Sequence, residues 1–203
     1  MKKEIVKKKI KLFWEWFINN EALMRAVVND DFHEQRESLI NAIDNQVLDF
    51  GMFTWEIEEN KENKISFTIS PNGNVELLEL SKFIIEHAPN LSNWKFNYAK
   101  PIKNWDFTFS VFDDYANEHE IDASEWNFVL LPVNDNKVKV IIEANNITNL
   151  DYETKLSAGN FVLTNTLGEE CKINNVYEVE IVNELENQYK AFGIQIINLQ
   201  KQF

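Results

Sequence analysis

The residues between positions 113 and 125 hold the densest group of side chains that could do chemistry. Carboxylate oxygens neutralise the charge of a divalent cation and an imidazole nitrogen adds a directed bond, so a loop rich in both could hold a hard or borderline metal ion. The candidate ligands are Asp113, Asp114, Glu118, His119 and Glu120, followed in the same loop by Asp122 and Glu125. The alternative interpretation is a solvated loop in an acidic protein.

The spacing of this acidic loop matches no common metal motif. It lacks the D-x-D-x-D-G pattern and the glycine of an EF-hand, and the chain contains no H-E-x-x-H. A metal-dependent hydrolase that uses residues 113–125 is therefore our second hypothesis for function rather than our first.

Two other histidines lie beside groups that could polarise them. In "DFHEQRE", residues 31–37, only His33 and Glu37 are four positions apart and can meet on a helix. Such a pair is more typical of a surface ion pair than of general-base catalysis. His87 lies just before Pro89, at a predicted helix end where an imidazole interacts with free carbonyls. We assign neither histidine a function.

The usual catalytic motifs are missing from the sequence. Its five glycines form no G-x-G-x-x-G or G-x-S-x-G series, so a backbone cradle for phosphate is hard to build. The single cysteine, Cys171, has no neighbouring His or Arg that would lower its pKa, and we expect a small core residue. The sequence predicts no cofactor and favours a protein without catalytic activity.

Aromatic residues alternate with polar ones between residues 94 and 111. Such rings can stack on flat ligands such as sugars or bases. Strict alternation is nevertheless more typical of a sheet face that lies beneath helices, and we predict a two-stranded hairpin with one aromatic face. The residues of that face are Trp94, Phe96, Tyr98, Trp105, Phe107, Phe109 and Val111.

An amphipathic helix is predicted at the amino end, where Trp14 and Trp16 flank an apolar stripe and lysines occupy the opposite side. We expect the stripe to cover the aromatic sheet or the hairpin before it. The alternatives are a membrane-interface helix and a partner-binding helix, but an acidic body would be repelled by an anionic leaflet. The stripe consists of Val6, Ile10, Phe13 and Phe17.

Hydrophobic periodicity predicts the other elements. A second helical segment extends to residue 50, and further helices are expected from Leu77 to Ala88 and from Asp151 to a carboxyl cap at Gly168. The tail, residues 191–203, fits a strand and a helix equally well. Period-two alternation predicts strands at residues 52–58 and 65–70, and further strands are expected at 137–144 and 176–182. Residues 126–133, "WNFVLLPV", are apolar on both sides, as a central strand would be.

The order strand, strand, helix, strand occurs twice, in residues 52–99 and 126–183. We therefore predict an α+β fold, in which a helical N-terminal segment packs with a mainly antiparallel sheet built from a duplicated β-β-α-β unit. The predicted divisions are N-terminal helices at 1–50, a first unit at 51–112, and a second unit with the tail at 113–203, all in one compact domain.

Charge and composition restrict the partners. The formal net charge is −13, and because residues 1–11 carry +5, residues 12–203 carry −18. Such a surface repels nucleic acid. No signal-peptide cleavage site follows the N-terminal lysines, and no run of about 18 uncharged apolar residues could span a membrane. We expect a soluble, cytoplasmic protein that binds neither nucleic acid nor membranes.

Three segments resemble a family of bacterial proteins, chiefly from Bacteroidetes, built on a domain of unknown function. The segments are "FWEWF", "APNLSNWKFNYAKP" and "LGEECKINNVYEVEIV". The resemblance covers most of the chain, although this sequence departs from the family pattern at Asn97, Tyr98 and Lys100. It implies a shared fold and supplies no catalytic residues.

Our leading hypothesis for function is an intracellular protein-interaction module without catalytic activity, of the inhibitor or immunity type. An acidic surface steers basic partners toward it and suppresses nonspecific ones. The expected partner is a basic protein, such as a toxin-type enzyme.

Overall fold

The structure is a computed structural model that describes residues 2–28, 33–59, 64–133 and 137–203, without the side chains of residues 2, 3, 27, 28, 33 and 34. The described residues form an α+β fold with an N-terminal helical segment, as predicted. The chain divides into two compact units, Met1–Lys100 and Pro101–Phe203. Among the described residues, none of the helices combines the length and the apolar composition needed to cross a bilayer.

The first unit contains a three-stranded sheet in the order β1-β2-β3. β1 and β2 are antiparallel, and β3 lies parallel to β2 because helix α3 carries the chain back across the sheet. Asn74 caps α3, since its Oδ1 accepts hydrogen bonds from the N–H groups of Glu76 and Leu77. The elements are α1 (Lys2–Val28), α2 (His33–Leu48), β1 (Thr54–Glu59), β2 (Ile65–Ser70), α3 (Val75–Ile85) and β3 (Trp94–Asn97).

The core of the first unit forms where α1 meets the sheet. Phe13 and Phe17 are buried, and the Phe17 ring centroid lies 5.2 Å from that of Phe67, 4.9 Å from that of Trp94 and 5.3 Å from that of Phe96. These separations are typical of packed aromatic pairs. The predicted stripe on α1 therefore does cover the aromatic strand and the hairpin before it.

The predicted hairpin across residues 94–111 is wrong. β3 ends at Asn97 and pairs with β2, whereas Phe109 and Val111 belong to β4 (Thr108–Phe112), which pairs with β5 (Glu118–Asp122). Alternation shows that a segment is extended with one apolar face, but it does not identify the strand with which the segment pairs.

The second unit contains the β4–β5 ribbon and a four-stranded sheet in the order β8-β7-β6-β9. β6 pairs antiparallel with β7 and β9, and β7 pairs parallel with β8. The tail, which fitted a strand and a helix equally well, forms a short strand followed by a 3₁₀ helix, Ile196–Gln202. The other elements are β6 (Asn127–Pro132), β7 (Val138–Glu143), α4 (Tyr152–Leu167), α5 (Glu169–Asn175), β8 (Val176–Val182), α6 (Asn187–Lys190) and β9 (Ile194–Gln195), with a 3₁₀ turn at Asn145–Ile147.

The predicted β-β-α-β order is present in both units. β1-β2-α3-β3 and β6-β7-α4-β8 share the same sequence of elements, an antiparallel first pair and a parallel return strand. The sequence analysis divided the two β-β-α-β units between residues 112 and 113, whereas the division between the compact units of the structure falls after Lys100. The difference arises because β4 pairs with β5 and thus belongs to the second unit.

Helix α4 packs closely on one face of the second sheet. The helix starts next to Asp151 as predicted, and Asp151 caps it by accepting from the N–H of Thr154. The predicted carboxyl cap, Gly168, ends it with a φ of 77°. Gly159 allows the close approach, since a Cβ there would lie 2.2 Å from Cδ1 of Ile181 on β8. Ala158, Val162 and Leu163 complete the contact as buried residues of the same core.

Candidate functional site

The first candidate, the acidic loop, is a tight turn followed by a strand. Asp113 organises the turn: its Oδ1 accepts from the backbone N–H groups of Tyr115 and Asn117, both at 2.9 Å, and its Oδ2 accepts from Asn117 Nδ2 at 3.0 Å. The same Oδ2 lies 3.0 Å from Nε2 of His119. Residues 118–122 form β5, although the sequence analysis treated them as loop, because Ile121 is the one apolar residue among five.

The contact between Asp113 and His119 is electrostatic as well as structural. The hydrogen bond from His119, followed by those from Asn117, holds the pKa of Asp113 well below its usual range. The carboxylate is thus charged and already satisfied by local donors. Its geometry accounts for a stable turn and leaves little capacity for a further ligand.

The other predicted metal ligands are not gathered around this pair. Asp114 is exposed in the turn, and Glu118 and Glu120 alternate with His119 along β5, so their side chains point to the opposite face of the ribbon. Within residues 2–28, 33–59, 64–133 and 137–203, no group of three or more His, Cys, Asp or Glu side chains is placed to hold a metal ion. The structure therefore brings together two of the five candidates, Asp113 and His119.

The remaining sequence candidates have local roles or cannot be placed. The side chain of His33 lies outside the described residues, so its predicted pairing with Glu37 stays a prediction. The Nδ1 of His87 lies 2.9 Å from the carbonyl oxygen of Phe83, near the end of α3, which confirms the predicted interaction with helix carbonyls. Burial raises the pKa of the Cys171 thiol, the opposite of what an activated nucleophile needs.

The β4–β5 ribbon carries an open, polar groove of about 550 Å³. Asp122 lines the groove, and Asp106 is hydrogen-bonded to the lining residue Thr108. Both carboxylates stay charged, because hydrogen bonds from Thr108 to Asp106 and from Ser124 to Asp122 lower their pKa values. The groove is consequently anionic. Its lining residues are Thr108, Phe109, Ser110, Glu120, Ile121 and Asp122.

A smaller pocket, the outer pocket, lies on the face of the second sheet that α4 does not cover. It has a volume of about 220 Å³. Its apolar residues are Leu131, Ile141, Val182 and Leu185, and its polar and aromatic residues are Lys139, Glu180, Glu184, Glu186 and Tyr189. An apolar floor and carboxylates in one concave site can recognise a ligand that is both apolar and cationic.

The outer pocket keeps a net negative charge after its internal ion pairs are counted. Lys139 Nζ lies 2.8 Å from Glu180 Oε2 and 3.0 Å from Glu178 Oε1, and these two carboxylates raise the Lys139 pKa, Glu180 most strongly. Lys190 pairs with Glu184 and lowers the pKa of that carboxyl. Among the residues that line the pocket, one lysine, Lys139, thus stands against three glutamates, Glu180, Glu184 and Glu186, for a net charge of −2.

The outer pocket was not predicted from the sequence, although one signal for it was present. The segment "WNFVLLPV" is apolar on both sides, which was attributed to a central strand, and β6 is indeed central. Its second apolar side, which includes Val129 and Leu131, packs with Leu185 and Tyr189 from the segment after β8. A strand that is apolar on both faces must be covered on both. The short segment after β8 covers the outer face of β6, and the outer pocket lies between this segment and the sheet.

Comparisons with known proteins returned no match, whether to a family model, a curated protein or a solved structure. The resemblance to a bacterial family stated from the three sequence segments therefore stays a prediction.

Proposed function

We propose that this chain is a non-catalytic protein-interaction module of the inhibitor or immunity type, which binds a basic protein through its second unit. The observation that carries the proposal is the distribution of charge. Residues 101–203 contain 17 Asp and Glu against seven Lys, a net charge of −10, whereas residues 1–100 contain 16 against 13, a net charge of −3. The two units hold almost equal numbers of carboxylates, but because the second has fewer lysines, it carries most of the net negative charge.

The acidic side chains of the second unit are held on regular structure. Glu118 and Glu120 are exposed on β5, and Glu180 lies on β8. Carboxylates fixed in this way create a field that accelerates encounter with a basic protein and disfavours acidic ones. Because the field acts mainly on encounter, we expect a steep dependence of the association rate on salt.

The first step of the test is capture. The full chain is immobilised, proteins from the native host are applied at low and high salt, and bound proteins are identified and purified. We expect a basic protein that is retained at low salt and released at high salt. Recovery of no basic protein at low salt contradicts the proposal.

The second step measures the association rate of the purified partner with matched charge variants. Glu118→Gln, Glu120→Gln and Glu125→Gln together remove three exposed carboxylates from the second unit. We expect this variant to associate several-fold more slowly at low salt. The control removes three exposed carboxylates from the first unit, Glu76, Glu79 and Glu86, by the same change to Gln. Equal slowing by both variants would show that the second unit is not the binding surface.

A further inference from the structure

We propose that the outer pocket receives a lysine or arginine side chain of the basic partner. This inference rests on the proposed function and adds to it the site and the chemical group that is recognised. The occupant is a cation at the end of an aliphatic stem, presented by a folded protein or a peptide.

The size of the outer pocket suits one side chain. Its volume of about 220 Å³ is below the roughly 300–1,000 Å³ of pockets that hold drug-sized ligands. The floor of Leu131, Ile141 and Val182 offers an apolar surface for the methylene groups of a lysine or arginine. Long basic side chains commonly bury their stems in this way while the charged end stays near water.

The charge of the outer pocket suits the cationic end of that side chain. Lys139 is already paired with Glu180, and Lys190 from outside the lining pairs with Glu184. The three lining glutamates exceed the one lining lysine by two. Glu186 Oε2 accepts from Gln188 Nε2 at 2.8 Å, and among the described residues no lysine or arginine pairs with Glu186. The ring of Tyr189 lines the same space, and aromatic faces attract ammonium and guanidinium groups.

The segment that supplies the carboxylates is fixed to the sheet before any ligand arrives. The N–H of Leu185 donates to Glu143 Oε1 at 2.9 Å, and Asn127 Nδ2 donates to the other oxygen of that carboxylate at 3.0 Å. Leu185 is itself buried. Glu184 and Glu186 flank this anchor, so little ordering is needed when a cation binds.

Other occupants fit the outer pocket less well. An anionic group would be repelled by the excess carboxylates. A neutral apolar side chain would contact the apolar floor but would leave those carboxylates without a partner. A second copy of this chain is less favoured as well, because its second unit carries the same negative charge.

The test is a titration of the full chain with small probes, followed by methyl NMR. N-acetyl-arginine amide and N-acetyl-lysine amide are the cationic probes, and N-acetyl-norleucine amide is the neutral control of similar length. We expect the cationic probes to shift the methyl signals of Leu131, Ile141 and Val182 and to leave Ile69 and Ile84 of the first core unchanged. No shift at the pocket methyls, or an equal affinity for norleucine amide, overturns the inference.

Variants connect the shifts to the carboxylates. Glu186→Gln and Glu180→Gln are each expected to lower the affinity for N-acetyl-arginine amide about two- to fivefold, the range for a solvent-accessible ion pair. The matched control, Glu118→Gln on the ribbon, is expected to change the affinity by less than the error. If the control weakens binding as much as the pocket variants do, the effect is general charge and the inference is wrong.

The two proposals fail in different ways. If the purified partner binds the pocket variants as tightly as the natural chain but loses affinity for the ribbon variants, the outer pocket is wrong and the proposed function stands. If arginine amide binds in the outer pocket but no basic protein is captured, the proposed function fails and the pocket remains a cation site. Dimerisation that arginine amide reverses would overturn the assignment to a separate partner.

Discussion

The two β-β-α-β segments share one topology but differ on the outward face of the sheet. In the first unit, the alternate positions that do not join the aromatic core are polar, as at Glu56, Thr68 and Asn97, which lie side by side on β1, β2 and β3. In the second unit, the outward positions of β6 and β7 include Val129 and Ile141. The same strand order therefore supports a polar face in one unit, on which Thr68 is buried, and an apolar face with a pocket in the other.

This difference changes how each outward face is stabilised. The polar groups of the outward face of the first unit are satisfied by one another: Asn97 Nδ2 donates to Thr68 Oγ1 at 3.2 Å, and Lys100 pairs with Glu56 at 2.6 Å. An apolar outward face must be covered, and the cover after β8 brings its own carboxylates. The topology thus fixes the scaffold, and the side chains on one face decide what the scaffold binds.

The largest expected effect tests whether the two cores are separate. Phe17 and Phe128 are both 0% exposed, one in each core, and truncation to Ala removes a packed ring that costs about 3–5 kcal/mol. We expect Phe17→Ala to lower hydrogen-exchange protection in residues 2–100 and Phe128→Ala to lower it in residues 101–203.

The control for these truncations is Phe112→Ala, since Phe112 is 64% exposed, and a change within about 0.5 kcal/mol is expected. If either buried variant lowers protection equally in both halves of the chain, the two units unfold as one and the comparison between them loses its meaning.

The next effect concerns how closely each crossover helix approaches its sheet. Gly159→Ala places a methyl group against Cδ1 of Ile181, and overpacking of about 1–3 kcal/mol exceeds the roughly 1 kcal/mol that Ala gains over Gly in a helix. We expect a net loss of stability in urea unfolding. Adding Ile181→Val deletes the clashing carbon and should recover part of the loss.

The matched change in the first unit is Ser81→Ala on α3, which removes a buried hydroxyl that donates to the carbonyl of Leu78 and introduces no clash. If the changes in unfolding free energy caused by Gly159→Ala and Ile181→Val are strictly additive, the two side chains do not interact, and the close contact seen in the structure is contradicted.

A smaller effect separates the two helix caps by their response to pH. Asn74→Ala should cost about 1 kcal/mol at every pH, because an amide cap does not titrate. Hydrogen bonds from Thr154 lower the pKa of Asp151, so its charged form is favoured by folding. The stabilisation from Asp151 is complete above the unfolded-state pKa of about 3.9 and is lost as pH falls through the lower folded-state value.

Urea unfolding of Asp151→Ala and Asn74→Ala at a series of pH values measures this difference. The deficit of Asp151→Ala should shrink toward acid, whereas the deficit of Asn74→Ala should stay constant. A deficit of Asp151→Ala that grows toward acid would mean that the carboxylate destabilises the helix.

The smallest expected effect distinguishes the acidic loop from a metal site. Mg²⁺, Mn²⁺, Ca²⁺ and Zn²⁺ should leave the midpoint of thermal unfolding unchanged, because Asp113 is occupied by its own turn and Glu118 and Glu120 point away from His119. A cation that bound the folded chain would raise the midpoint. A rise that Asp113→Asn abolishes would restore the metal hypothesis.

The sequence predicts the elements of this fold better than their pairing. The stripe of Phe13 and Phe17, the carboxyl cap at Gly168 and the repeated strand, strand, helix, strand order all follow from local sequence patterns, and the structure contains them. The partners of β3 and β4 depend on contacts across the chain, which alternation does not record, so the hairpin over residues 94–111 was predicted wrongly.

The candidate sites were predicted even less completely. The composition of residues 113–125 predicted that Asp113 and His119 lie in one loop, and the two side chains are in contact. Glu118 and Glu120 were predicted to join them, but side chains alternate along β5 and these two point to the opposite face. The outer pocket joins residues from β6, β7, β8 and the segment after β8. No stretch of sequence contains such a site, because the fold assembles it from distant positions.

The pairing of β9 with β6 also has a consequence for synthesis of the chain on the ribosome. Ile196 and Leu199 are fully buried in the core that β9 leads into, so that core stays open until these residues have left the exit tunnel. Residues 1–100 meet no such delay, since their sheet ends at Asn97. The first unit can therefore fold while the second unit is still being translated.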